Sequence, residues 1–140
     1  MGFVLLLFWA WQVTSLETVD SSRGLARLAE VRDQWGPLRP LLERDSTGRL
    51  IRTSVPAVRG QAASELVVVV YRPTSGTFLQ VEVPFWLLTM KGPALGAALR
   101  DTSFDIEELG LSSGELRALG ACPILDETRA DESELLVWTR

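Results

Sequence analysis

The stretch that decides the fold is residues 66–72, with the sequence LVVVVYR. Four consecutive valines crowd the preceding turn of a helix, whereas branched side chains pack well on a pleated sheet. A continuous apolar run of this length is typical of a strand that is buried on both faces. The sequence therefore predicts a central β-strand here.

A second strand follows directly along the chain. Residues 73–76 (PTSG) have the composition of a turn. In residues 77–83, the side chains of Phe78, Gln80 and Glu82 alternate with three aliphatic ones, which is the period of a strand. We expect the two strands to form an antiparallel hairpin.

The flanking sequence predicts further short elements. Leu25, Leu28, Ala29 and Trp35 recur at helical spacing after the capping residues 20–22. Ser112 and Glu115 form a capping-box pattern for a helix that Gly120 ends. We also expect a hairpin around residues 45–48, a helical turn over residues 104–109, and a terminal hairpin of residues 122–126 and 134–139. The fold class is thus a small single α+β domain, a mostly antiparallel sheet of hairpins with short helices, behind an N-terminal hydrophobic helix.

The N-terminus predicts contact with a membrane. Residues 2–16 carry no charge, and as a helix they would span about 22 Å, which suits a signal-peptide core better than a complete span. We assign residues 1–16 to a signal or membrane-anchor segment and residues 17–140 to the α+β domain. The apolar side chains of the membrane segment are Phe3, Leu5, Leu6, Leu7, Phe8, Trp9 and Trp11.

Four interpretations of this segment remain open. Val13 and Ser15 suit cleavage ahead of Leu16, which would export the domain. No basic residue precedes the segment and three arginines follow it within residues 23–32, so an uncleaved anchor would keep the domain cytoplasmic. In the third interpretation, the segment is a buried core helix of a soluble fold. In the fourth, the start codon is misassigned.

Composition excludes several classes of function. The 140 residues include no His and one Cys, which excludes a Ser-His-Asp triad, an internal disulfide and the Cys- and His-rich zinc folds. The formal charge is −4, so we expect no nucleic-acid partner. Residues 17–100 carry +3 and residues 101–140 carry −7, so the acidic end of the chain suits a basic partner.

No residue pattern predicts a catalytic, cofactor or metal site. Lys91 would have to serve as the base of a Ser-Lys pair, and Cys122 has no neighbour that lowers its pKa. Residues 105–108 and 126–134 are rich in carboxylates but lack the spacing of an EF-hand, and phosphate-binding glycine motifs are absent from the sequence. An enzyme of unrecognised type that uses carboxylates or a Ser-Lys pair is the alternative function.

The apolar corner Phe85, Trp86, Leu87 and Leu88 is the candidate interaction surface, and the alternative is that it belongs to the core.

The C-terminal part of the chain resembles a small module of uncharacterised bacterial envelope-associated proteins, and the resemblance lies in residues 81–88, residues 104–109 and the closing hairpin. That resemblance covers about the last sixty residues and implies architecture, not activity. We therefore expect a membrane-anchored or exported, non-catalytic protein-interaction domain at the cell envelope, with an unknown protein partner and no cofactor.

Overall fold

The computed structural model describes residues 14–18, 21–35, 38–52, 62–89, 99–102 and 104–140. Their helices and strands form a small antiparallel α+β domain, which confirms the expected class. The strands are β1 (Thr14–Thr18), β2 (Leu42–Arg44), β3 (Leu50–Arg52), β4 (Glu65–Arg72), β5 (Thr77–Pro84), β6 (Pro123–Thr128) and β7 (Glu134–Thr139). The α-helices are α1 (Ser21–Asp33), α2 (Phe85–Thr89) and α3 (Ser113–Leu119), and 3-10 turns occupy Arg100–Thr102 and Ile106–Leu109.

The main sheet has five strands in the order β1-β5-β4-β7-β6, and all neighbours are antiparallel. The valine-rich β4 is the central strand, as the sequence predicts, and Val68 lies opposite both Val81 and Val137. The predicted hairpins β4–β5 and β6–β7 are also confirmed. The predicted hairpin around residues 45–48 forms a separate two-stranded sheet of β2 and β3.

Both faces of the sheet are covered, so the described part of the domain has three layers. Leu66, Val68 and Val70 belong to the larger core, together with α2, α3 and the loops around them. Val67, Val69 and Tyr71 alternate with them and belong to the smaller core under α1. Strand periodicity produces this division, because successive side chains point to opposite faces.

Helix α1 lies close against the sheet because it contains a glycine. A Cβ built on Gly24 would lie 2.2 Å from the ring of Tyr71, so the helix backbone itself contacts this fully buried side chain. Leu28 of α1 is fully buried, whereas Leu25 is 55% exposed. The amphipathic pattern therefore correctly predicts the helix, but it identifies only some of the residues that face the sheet.

The predicted end signals of α3 are both present. Ser112 Oγ accepts a hydrogen bond from Glu115 N, and Glu115 Oε1 accepts one from Ser112 N, which completes the capping box. Gly120 ends the helix with a φ of 71°. Local signals of this kind are readable from sequence because the hydrogen bonds join residues three apart.

Residues 1–13 lie outside the described residues, and so does the apolar membrane segment Phe3, Leu5, Leu6, Leu7, Phe8, Trp9 and Trp11. The boundary drawn between residues 16 and 17 falls inside β1, whose five residues all pair with β5. Among the described helices, none is long and apolar enough to cross a membrane.

Candidate functional site

The candidate interaction corner is divided between core and surface. Phe85 and Leu87 are each 1% exposed and Leu88 is 9% exposed, and all three pack in the larger core. Trp86 is 44% exposed. The helical period of α2 explains the difference, because Trp86 points away from the face that its three neighbours bury. An interaction surface at this corner is thus reduced to Trp86.

A more extensive candidate site lies where the end of α1 meets the β6–β7 hairpin. An open groove of about 160 Å³ is found there, and we call it the tryptophan groove. Two indoles, of Trp35 and Trp138, are among its walls. Its lining residues are Val31, Arg32, Trp35, Leu38, Pro40, Pro123, Leu125, Asp126, Leu136, Val137 and Trp138.

The chain after α1 forms one wall of the groove and is held at both ends. Trp35 N donates to the carbonyl of Arg32, and Leu38 N donates to the carbonyl of Trp35. At the other end, Leu41 N donates to the carbonyl of Pro123 on β6 at 3.1 Å. The half-buried side chains of Leu38 and Pro40 are therefore fixed beside the sheet.

A charged rim borders the groove. Arg32 Nε and Nη2 donate to the two carboxylate oxygens of Asp126, each at 2.9 Å, and Nη2 also donates to Glu134 at 3.1 Å. The hydrogen bonding of its guanidinium to the Asp126 carboxylate is the main reason why the pKa of Arg32 is raised above its usual value. The guanidinium therefore keeps its charge, and its bidentate geometry gives this rim a defined shape.

A second ion-pair cluster continues the charged surface along β6. Arg44 donates twice to the Glu127 carboxylate, at 2.9 and 3.0 Å, and once to Glu108 at 3.3 Å. The two clusters together contain two guanidinium groups and four carboxylates, namely those of Asp126, Glu134, Glu127 and Glu108. The side chains of the two clusters sum to −2.

Several carboxylates of the alternative enzyme function have structural partners. Asp105 caps a 3-10 turn by accepting from Glu107 N, and Asp131 accepts from both the backbone and the hydroxyl of Ser133. In the ranges that the structure describes, no group of three potential metal ligands occurs. Lys91, the base of the alternative Ser-Lys pair, lies outside those ranges.

Cys122 lies in the larger core and is 2% exposed. Its thiol lies near the hydroxyl of Thr139, at 3.8 Å. Burial raises the pKa of this thiol, because a thiolate is poorly solvated there. A neutral, buried thiol is a poor nucleophile.

The sequence contains no signal that joins Trp35 to Trp138. The first belongs to the amphipathic pattern of a helix, and the second belongs to a strand more than a hundred residues later. Only the antiparallel return of β7 beside β4 brings them to one groove.

Comparisons of the chain with protein-family models, curated proteins and solved structures found no match.

Proposed function

We propose that this chain is a membrane-anchored or exported, non-catalytic domain of the cell envelope that binds a partner protein through the tryptophan groove. The observation that supports the proposal is that Trp35, which is half-buried, and Trp138, which is 5% exposed, both line one open groove. Tryptophan is enriched among the residues that dominate binding energy at protein interfaces. The uncharged N-terminal segment supplies the membrane part of the proposal.

The size of the groove defines the part of the partner that enters it. A cavity of about 150 Å³ accommodates one benzene ring in a protein interior. The tryptophan groove, at about 160 Å³, suits a single aromatic or branched aliphatic side chain. It is too small for a folded element, so the partner offers a short exposed segment with one anchoring side chain.

The charges beside the groove define the neighbours of that side chain. Asp126 and Glu134 share the guanidinium of Arg32, so these three side chains beside the groove sum to −1. Complementary charge favours the approach of a basic segment and disfavours an acidic one. We therefore propose a partner segment in which an apolar residue is flanked by lysine or arginine.

The test is a titration of the full chain in detergent micelles, followed by NMR of the tryptophan indole N–H signals. The probe is the tripeptide acetyl-Lys-Phe-Lys-amide. We expect shifts confined to Trp35 and Trp138, with a dissociation constant on the order of 1 mM, since one side chain is buried. The charge-reversed tripeptide acetyl-Glu-Phe-Glu-amide should bind more weakly.

Two variants on the α1 side of the domain separate groove binding from non-specific contact. Trp35→Ala removes one wall of the groove and should abolish the shift of Trp138. Leu25→Ala is the matched control, because Leu25 is 55% exposed and does not line the groove. Equal binding by both variants, or equal binding of the two tripeptides, would contradict the proposal.

A further inference from the structure

We propose that the end of the sheet where β5 finishes and α2 begins faces a lipid bilayer, with the Trp86 indole in the headgroup region. We call this surface the Trp86 end. The inference depends on the membrane anchorage in the proposed function, and it adds which side of the domain meets the lipid. The occupant of this surface is the bilayer to which the N-terminal segment attaches the chain.

The direction of β1 shows at which end of the sheet the apolar segment joins the domain. β1 is antiparallel to β5, with Thr14 opposite Val81 and Thr18 opposite Thr77. The first residue of β1, Thr14, therefore lies toward the end of the sheet at which β5 reaches Pro84. The apolar segment is thus connected to the Trp86 end and not to the opposite end, where residues 73–76 form a turn.

The length of the connection limits the distance between the apolar segment and the sheet. Trp11, the last large side chain of the apolar segment, precedes Thr14 by three residues. Three extended residues span at most about 10 Å. If the apolar segment lies in a bilayer, this short connection holds the Trp86 end close to the membrane surface.

The exposed side chain of Trp86 at this end suits a membrane interface. Trp86 is the second residue of α2, immediately after β5, and it is 44% exposed. Tryptophan favours the membrane interface, because the indole ring is apolar and its N–H is a hydrogen-bond donor. Three core neighbours, Phe85, Leu87 and Leu88, hold the short helix on the domain, so Trp86 is presented from a fixed position.

The charges at this end indicate which lipid suits it. Arg140 forms ion pairs with Glu65 and Glu82, so these three side chains sum to −1. These three side chains do not form the positive cluster by which a polybasic site binds anionic lipid. We therefore expect contact with zwitterionic phosphatidylcholine vesicles that does not strengthen when phosphatidylserine is added.

The test places a fluorescent bimane label at each end of the sheet in the full chain, reconstituted in phosphatidylcholine vesicles with brominated acyl chains. The background variant is Cys122→Ala, which leaves one introduced thiol for labelling. Thr89→Cys labels the end of α2 and removes the hydrogen bond that Thr89 Oγ1 donates to the carbonyl of Trp86, and Ser75→Cys labels the exposed turn at the opposite end. We expect the label at position 89 to lose about half of its fluorescence, since interfacial groups lie within ~10 Å of the acyl boundary. The label at position 75 should be unaffected.

Each other result identifies what has failed. Absence of quenching at both positions in a chain that floats with the vesicles overturns the orientation and leaves the anchorage intact. Equal quenching at both positions also overturns it. A chain that does not float with vesicles overturns the anchorage as well. Adding Trp86→Ser should reduce the quenching at position 89 at least twofold, and unchanged quenching would remove Trp86 from the contact.

Discussion

Arg32 of α1 and Asp126 of β6 are ninety-four residues apart in the chain and are joined by two hydrogen bonds of 2.9 Å. One residue comes from the basic first part of the sequence and the other from the acidic last part. The opposite charges of the two parts therefore meet within the domain. They join α1 to the β6 edge of the sheet and form the rim of the tryptophan groove.

The Arg32–Asp126 pair should contribute modestly to stability. In a double-mutant cycle with Arg32→Gln and Asp126→Asn, we expect a coupling free energy of about 0.5–1 kcal/mol, because both side chains are partly exposed to solvent and salt. Urea unfolding of the four proteins measures it, and the coupling should shrink in high salt. A parallel cycle of Arg32→Gln with Glu107→Gln, an exposed carboxylate on another element, should show no coupling.

Gly24 should not tolerate a methyl group. Gly24→Ala places a Cβ against the Tyr71 ring, at 2.2 Å before relaxation, so the free energy of unfolding should fall by about 1–3 kcal/mol. Gly114→Ala is the matched control in α3, since its Cβ would meet nothing closer than 3.8 Å, and it should be neutral or stabilising. Thermal unfolding compares the two variants. A similar melting temperature for both would disprove the close approach of α1 to the sheet.

The hydroxyl of Tyr71 should be dispensable. It is buried and has no hydrogen-bond partner among the residues that the structure describes. Removing an unpaired buried hydroxyl does not sacrifice a hydrogen bond, so Tyr71→Phe should leave stability unchanged or raise it by up to about 1 kcal/mol. Denaturant unfolding measures the change. A loss of more than about 1 kcal/mol would show that the hydroxyl is hydrogen-bonded.

Cys122 should make the domain less stable at alkaline pH. Burial raises its pKa in the folded state, whereas the unfolded thiol ionises near its ordinary value of 9.0. As the pH rises past that value, the unfolded state loses its proton first and is favoured, so the free energy of unfolding falls. Cys122→Ala should show a smaller decrease between pH 8 and pH 10 than the parent chain, and parallel curves would contradict this.

The mature protein should retain Thr14 and Ser15. All five residues of β1 pair with β5, and cleavage ahead of Leu16 would remove two of the five pairs from the edge of the sheet. Intact-mass measurement of the chain recovered from cells decides the point, together with protease access from each side of the membrane. A product that begins at Leu16 would show that the domain folds without the first half of β1.

Local sequence alone determined much of the secondary structure. The valines of β4, the turn after Arg72 and the capping box at Ser112 were all predicted, since strand propensity, turn chemistry and capping act over a few residues. Strand β1 was not predicted. Residues 14–18 adjoin an apolar run, and they become a strand only by pairing with residues of β5 that lie 59 to 67 positions away in the chain.

Tertiary structure determines which residues lie at the surface and which of them come together. The sequence of α2 shows four apolar residues, and only packing separates the exposed Trp86 from its three buried neighbours. Likewise, Trp35 and Trp138 line the same groove because α1 packs on the face of the sheet that contains Trp138, and Arg32 of α1 meets Asp126 for the same reason. A site built from residues a hundred positions apart depends on which strands pair and which helix covers them, and neither is encoded in a local pattern.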